Sequence, residues 1–133
     1  MSLKVKINYS PNFTRKKRTK KDIKFLIFHY TGMKNENLAI KRLTDIQSEV
    51  ASHYFIKRSG EIILFVPDLF IAWHAGISEW KKSHSLNKNS ILFDWFSSST
   101  GGKIVSPISG KLLYAQPALV PATKAPDTMV AKI

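Results

Sequence analysis

Cysteine is absent from all 133 residues. Its absence excludes disulfides, thiolate metal sites and a cysteine nucleophile. No apolar run approaches the roughly 18 residues that a membrane-spanning helix needs. The opening segment, MSLKVKINYSPNFTRKKRTKKD, carries basic residues with no apolar stretch behind them. It is therefore not a secretory signal, and the chain reads as cytoplasmic as written. Histidine is scarce: there are four, at 29, 53, 74 and 84, and none follows His84. Acid is scarcer still relative to base, with 9 Asp and Glu against 21 Lys and Arg.

The composition that remains, 44% apolar and 23% charged, is that of an ordinary soluble domain with a real core. The net charge of +12 is unevenly spread, since nine of the 21 basic residues fall within the first 24 positions, with RKKRTKK at 15–21. Such a cluster favours polyanions in general, or is simply a solvated arm. Aromatic residues do not interleave with it and no nucleic-acid-binding signature accompanies it, so no nucleic acid is expected as a partner.

The pattern predicts an α/β chain. FLIFHY at 25–30 is a short apolar run that reads as a central strand buried on both faces. Asn35 or Asn37 caps a helix over about 38–50, with Ala39, Leu43, Ile46 and Val50 on its inner face. HYFIKR (53–58) and EIILFV (61–66) read as a hairpin across a two-residue Ser59-Gly60 turn, and SILFDWF (90–96) as a further strand. Beyond residue 96 the composition shifts. SSSTGG is linker-like, four of the six prolines lie in 107–126, and Asp127 is the only acid. The expected division is a domain over 1–96, with a basic arm at 1–23, and a divergent Pro/Gly-containing segment over 97–133. KIVSPISGKLLYAQPALV within it has room for two short strands around a turn, whereas PATKAPDTMVAKI shows little regular pattern.

His29 is the sharpest chemical feature. An imidazole at the carboxyl end of a buried strand serves as a metal ligand, a general base or a hydrogen-bonded core residue. AWHAG at 72–76 offers a flat apolar face on Trp73 beside the polar edge of His74, which suits a sugar or peptide in an open cleft or pins a loop to the core. His53 opens a strand and reads as a cleft or packing residue. His84 reads as solvent-exposed. Asp94 is a carboxylate inside an apolar run: burial there suits a proton-transfer role, whereas a wet strand face makes it an edge charge.

Taken in order, YSPNF (9–13), IFHYTG (27–32), VASHYFIKRSGEI (50–62), AWHAGISEW (72–80) and LNKNSI (86–91) resemble the zinc-dependent N-acetylmuramoyl-L-alanine amidases, the family related to T7-type lysozyme and the peptidoglycan recognition proteins. The resemblance implies a central mixed β-sheet flanked by helices and a groove for a glycan–peptide junction. It implies hydrolysis of the amide between N-acetylmuramic acid and L-alanine, with peptidoglycan or muropeptides as the partner in the cell envelope. By the same resemblance His29 is a Zn2+ ligand, and Trp73, His74 and Asn87 line the groove. Asp94 stands where the family has its catalytic glutamate, with Leu92 and Phe93 in place of the family's Gly and Ile.

After about residue 91 the likeness stops, as though the chain were truncated or altered there. The family's late histidine and its late aspartate or cysteine have no counterpart here, so the implied zinc site is incomplete. The alternative reading is a catalytically impaired peptidoglycan-binding remnant of that family. The sequence sets neither the oligomeric state nor the preferred stem peptide.

Overall fold

A computed structural model describes residues 4–31, 33–74, 79–80, 83–84, 86–96 and 128–132. In chain order its strands are β1 (Val5–Ile7), β2 (Phe13–Thr14), β3 (Phe25–Tyr30), β4 (Tyr54–Ile56), β5 (Ile62–Leu64), β6 (Ile71–Ala72), β7 (Glu79–Trp80), β8 (Ser83–His84), β9 (Ser90–Trp95) and β10 (Thr128–Lys132). Helix α1 (Glu36–Thr44) follows β3, and α2 (Leu86–Asn89) leads into β9. No helix among the described residues is long and apolar enough to cross a membrane.

β3 and β9 form the heart of the fold, because their apolar runs are the ones that tolerate neighbours on both sides. A six-stranded mixed sheet has the order β1-β5-β4-β9-β3-β10. β4, β9 and β3 run parallel to one another, β5 is antiparallel to β4, and β10 is antiparallel to β3. Two further pairs, β2 with β6 and β7 with β8, form small ribbons. The expected α/β architecture with a central mixed sheet is what the chain adopts.

In-register side chains of the parallel strands line up in rows. One row is aromatic: Tyr54 and Phe93 stack at 4.9 Å between ring centroids, and Phe93 and Phe28 at 5.0 Å. The next row, on the opposite face, runs Phe55, Asp94, His29. That second face carries the main core, where Ala39 and Leu43 of α1 meet Phe55, Phe65, Val66, Ala72 and Phe96.

Several elements differ from the sequence reading. α1 begins at the Asn35 cap, whose side chain accepts from the Leu38 amide, but ends at Thr44 rather than running to residue 50. A short 3-10 turn, Ile46–Ser48, follows it, and Ile46 faces solvent instead of the core. The Asp45 carboxylate accepts the Gln47 amide and Ser48 bonds back to the Asp45 carbonyl, so local side-chain bonds displace the helical ladder. The β4–β5 hairpin turns over three residues, 58–60: the Lys57 amide donates to the Glu61 carbonyl at 2.9 Å, and Gly60 takes φ +88°. β10 forms in the stretch that showed no pattern, opposite β3, with Thr128 beside His29 and Met129 beside Phe28. The two strands expected in 103–120 lie outside the described residues, as does the His84 side chain.

The basic N-terminal stretch is tied into the domain. β1 pairs with β5, and the Ser10 amide donates to the Phe65 carbonyl at 2.9 Å. Buried Asn12 uses its amide to bond the carbonyls of Asp45 and Val50, each at 2.8 Å. These two bonds anchor the turn after α1.

Phe55 is fully buried beneath α1. Phe55→Ala should cost about 3–5 kcal/mol of stability. Gly60→Ala should cost about 1–2 kcal/mol through backbone strain alone, because nothing lies within 4 Å of a Cβ placed there. Urea unfolding of the two variants checks both magnitudes and their order.

Candidate active site

β3 and β9 each deliver one reactive group to the same place. Parallel register sets His29 opposite Asp94. Side chains alternate along a strand, so Ile27, His29 and Thr31 share a face, as do Leu92, Asp94 and Phe96. The result is a short pair, with His29 Nδ1 2.8 Å from Asp94 Oδ1. The carboxylate accepts the Nδ1–H, which fixes the ring orientation and leaves the lone pair on Nε2. The Asp94 side chain is 7% exposed and the imidazole 37%, so the acid is the buried anchor and the ring reaches the surface. The Thr31 hydroxyl donates to the Trp95 carbonyl at 3.0 Å and sits 3.5 Å from the same carboxylate oxygen.

His74 is held from three sides. β6 carries the chain to Trp73, whose amide donates to the Asn12 carbonyl and whose carbonyl accepts the Ala51 amide. The Trp73 indole N–H donates to Thr14 Oγ1 at 3.0 Å. The His74 amide donates to Asn87 Oδ1 at 3.1 Å, and its Nε2 lies 3.0 Å from Ser90 Oγ. Ser90 spends its own proton on the Leu86 carbonyl at 2.5 Å, so the imidazole N–H donates to the serine. Burial holds the His74 pKa well below its usual value, and the charges of His53, Arg18 and His29 push it the same way. His74 is therefore a neutral imidazole whose tautomer is set.

Two buried residues organise this region without having stood out in the sequence. Arg18 is the one member of RKKRTKK that the fold buries. Its guanidinium donates to the Asp68 carbonyl at 2.8 and 3.0 Å, and to the carbonyls of Asn87 and Lys88 at 3.2 and 3.1 Å. It thus clamps the loop after β5 to the α2 turn that presents Asn87 and Ser90. Burial lowers its pKa, and Asp68 and Asp22 oppose that shift, but an arginine stays charged throughout. His53, fully buried, accepts the Leu92 amide at Nδ1 and lies 2.9 Å from the Phe70 carbonyl through Nε2. Of the two readings of His53, cleft or packing residue, its complete burial selects packing. No signal in RKKRTKK marks which of its six cations goes inside.

For metal binding the donor set decides. A catalytic zinc takes three protein ligands and an open position. Among the described residues no three His, Cys, Asp or Glu side chains converge. His29 and Asp94 are two donors that satisfy each other. The described residues therefore do not by themselves fit a zinc ion.

Burial pushes the His53 pKa down to about 4, with the Arg18 charge adding to the effect and the Phe70 carbonyl opposing it. Because the folded-state value lies below the ordinary 6.5, the unfolded chain takes up a proton that the folded chain refuses. Stability is then fully present above pH 6.5 and is lost as pH falls toward 4, by on the order of 3 kcal/mol. Urea midpoints at pH 7 and pH 4.5 test this, and equal midpoints contradict it.

With the geometry in place, comparison with known proteins is direct. The profile described as N-acetylmuramoyl-L-alanine amidase matches residues 19–103. The chain is 34% identical over 113 residues to the N-acetylmuramoyl-L-alanine amidase AmiD of Escherichia coli (strain K12), an alignment that covers 77% of this chain and 39% of AmiD. The crystal structure of a Se-Met AmpD derivative superposes with a TM-score of 0.58 at 23% identity, covering 75% of this chain and 68% of that one. The complex of E. coli AmiD with the substrate anhydro-N-acetylmuramic acid-L-Ala-D-gamma-Glu-L-Lys superposes at 0.51 with 32% identity, covering 80% and 42%. The chain spans about two-fifths of AmiD's length. The matched span includes His29, the hairpin, the Trp73–His74 loop and Asp94, and on that ground the chain belongs to the N-acetylmuramoyl-L-alanine amidase family.

Proposed function

We propose that this chain acts on peptidoglycan or its fragments, at the amide that joins N-acetylmuramic acid to L-alanine. The observation that carries the reading is the His29–Asp94 pair at 2.8 Å, fixed by strand register inside an amidase-family fold. The substrate of the AmiD complex, a muramyl–L-Ala–γ-Glu–Lys, sets the class of molecule expected here. In this reading Trp73, His74 and Asn87 line the groove. Its support is that the His74 amide bonds Asn87 Oδ1 at 3.1 Å, which holds these neighbouring residues together.

The chemistry asked of the protein is proton handling. Water adds to the amide carbonyl carbon, and its proton passes to the imidazole that Asp94 orients. The same proton then goes to the L-alanine nitrogen as the C–N bond breaks. Asp94 stabilises the imidazolium that forms between the two transfers. The family is zinc-dependent, but the donor set described above stops at His29 and Asp94, and no step here is routed through a metal.

That short donor set favours a second reading, a groove that binds muropeptide without turnover. Release of L-alanine peptides from purified muropeptides separates the two. Under the first reading, His29→Ala and Asp94→Asn each lower release by about 100-fold or more, the usual worth of a positioned acid–base group. Retention on sacculi stays within a few-fold of the parent. Binding to sacculi with no release by the parent chain makes the second reading the correct one.

A further inference from the structure

Residues 15–24 hold six exposed cations, Arg15, Lys16, Lys17, Lys20, Lys21 and Lys24, around the buried Arg18. Far from being a loose arm, this stretch is pinned at three points. β2 pairs with β6 just ahead of Arg15. The Arg18 amide donates to the Leu69 carbonyl at 2.9 Å, while its guanidinium bonds the carbonyls of Asp68, Asn87 and Lys88. The Lys24 amide donates to the Asn89 carbonyl at 2.8 Å. In between, Lys20–Asp22 forms a 3-10 turn, and the Asp22 carboxylate accepts the amide and the hydroxyl of Thr19 at 2.7 and 2.9 Å.

The acids here are too few to neutralise this charge. Among the described residues none of the six cations forms an ion pair. Asp22, the one acid of the segment, lies near Lys24 and Arg18 and offsets a single charge. Asp68 is engaged by the Tyr54 hydroxyl at 2.7 Å. A segment held in place with such an excess of one sign presents a strong positive field. Because the backbone is already ordered, little chain entropy is lost when an anionic partner arrives.

The cations gather at the end of the sheet away from the reactive pair. Lys24 immediately precedes β3, and Arg18 bonds the α2 turn that leads into β9. His29 lies five residues beyond Lys24, about 16 Å along the strand. Residues 15–17 also lead away from Trp73, because β2 runs antiparallel to β6 and continues toward Leu69. A partner held by this segment therefore leaves the His29–Asp94 pair uncovered.

The residue types select the partner. Five of the six cations are lysines, compact and strongly hydrated charges that suit a diffuse array of phosphates, whereas arginine suits bidentate readout. Residues 15–24 include no aromatic side chain to stack on a base. The flanking Phe13 packs edge-on against Phe70 at 5.1 Å, and Lys17 Nζ covers Phe70 at 5.5 Å from the ring centroid. Ile23, half-buried among the lysines, is the segment's apolar contact. A planar lipid surface engages several such lysines at once and needs no register with them. We propose that residues 15–24 form a docking surface for an anionic phospholipid bilayer, which holds the chain peripherally with its His29–Asp94 end away from the lipid.

The test is co-sedimentation of the whole chain with two kinds of vesicle, one of phosphatidylcholine alone and one of equal parts phosphatidylcholine and phosphatidylglycerol. Only the second should bind, and molar salt should release the chain. Replacing Lys20, Lys21 and Lys24 together by Gln should weaken binding by on the order of 100-fold, about fivefold per lysine. The same charge removed from α1 and its approach, by Lys34→Gln, Lys41→Gln and Arg42→Gln together, should cost no more than a few-fold. Arginine at positions 20, 21 and 24 should keep the parent affinity. Absence of binding to the phosphatidylglycerol vesicles overturns the proposal. Equal losses in the two glutamine triples overturn it as well, since net charge alone is then what binds. A loss in the arginine triple as large as in its glutamine counterpart does the same, by showing that the fold and not the charge was disturbed. Tighter binding to a DNA duplex or to polyphosphate than to vesicles, compared at equal phosphate, assigns the surface to that polymer instead.

Discussion

Everything reactive in this molecule depends on the parallel pairing of β9 with β3. His29 and Asp94 are 65 residues apart in sequence, and their 2.8 Å contact exists only because the two strands are locked in register. A slip of β9 by one residue would turn Asp94 to the opposite face of the sheet, away from His29. Register is secured by what flanks the pair: the Tyr54–Phe93–Phe28 stack on the opposite face and the fully buried Phe55 in the same row. The site's precision is thus a property of apolar packing around it, with the polar contact as the outcome.

A second layer of order is polar and buried. Arg18, His53 and Asn12 tie together segments far apart in sequence by bonding backbone carbonyls or amides, and the Ser90 hydroxyl joins the α2 turn to His74. Buried polar groups are costly unless satisfied, so such a network rigidifies only when it is well connected. Here it fixes the turn that carries Asn87 and, through Asn87 and Ser90, the tautomer of His74. The basic N-terminal region takes part in the site's geometry by this route as well as in the molecule's charge.

The sequence made the fold class, β3, β9, the hairpin strands and the start of α1 legible, because each rests on a local apolar period or a side-chain cap. His29 and Asp94 stood out individually for the same reason, as polar groups inside apolar runs, and the family resemblance placed them in one site. Their hydrogen bond did not show, since it requires the register between strands. Arg18 stayed hidden because burial of one cation among the six of RKKRTKK is a tertiary choice. The early end of α1 was missed because Asp45 and Ser48 compete with the helical backbone, and β10 because its strand is made by β3's open edge rather than by its own pattern.

The same separation along the chain that makes the pair informative also orders its assembly during synthesis. β3 leaves the ribosome well before β9 exists, so FLIFHY waits with its apolar faces and both backbone edges unmatched. Short-range pieces such as α1 and the β4–β5 hairpin close first, and the long-range parallel pairing closes late, after its loop entropy has been met. A nascent chain held at that stage carries a sticky, strand-prone segment that invites chaperone capture or intermolecular pairing. The residues that create the reactive pair are therefore also the ones that make the half-made protein vulnerable.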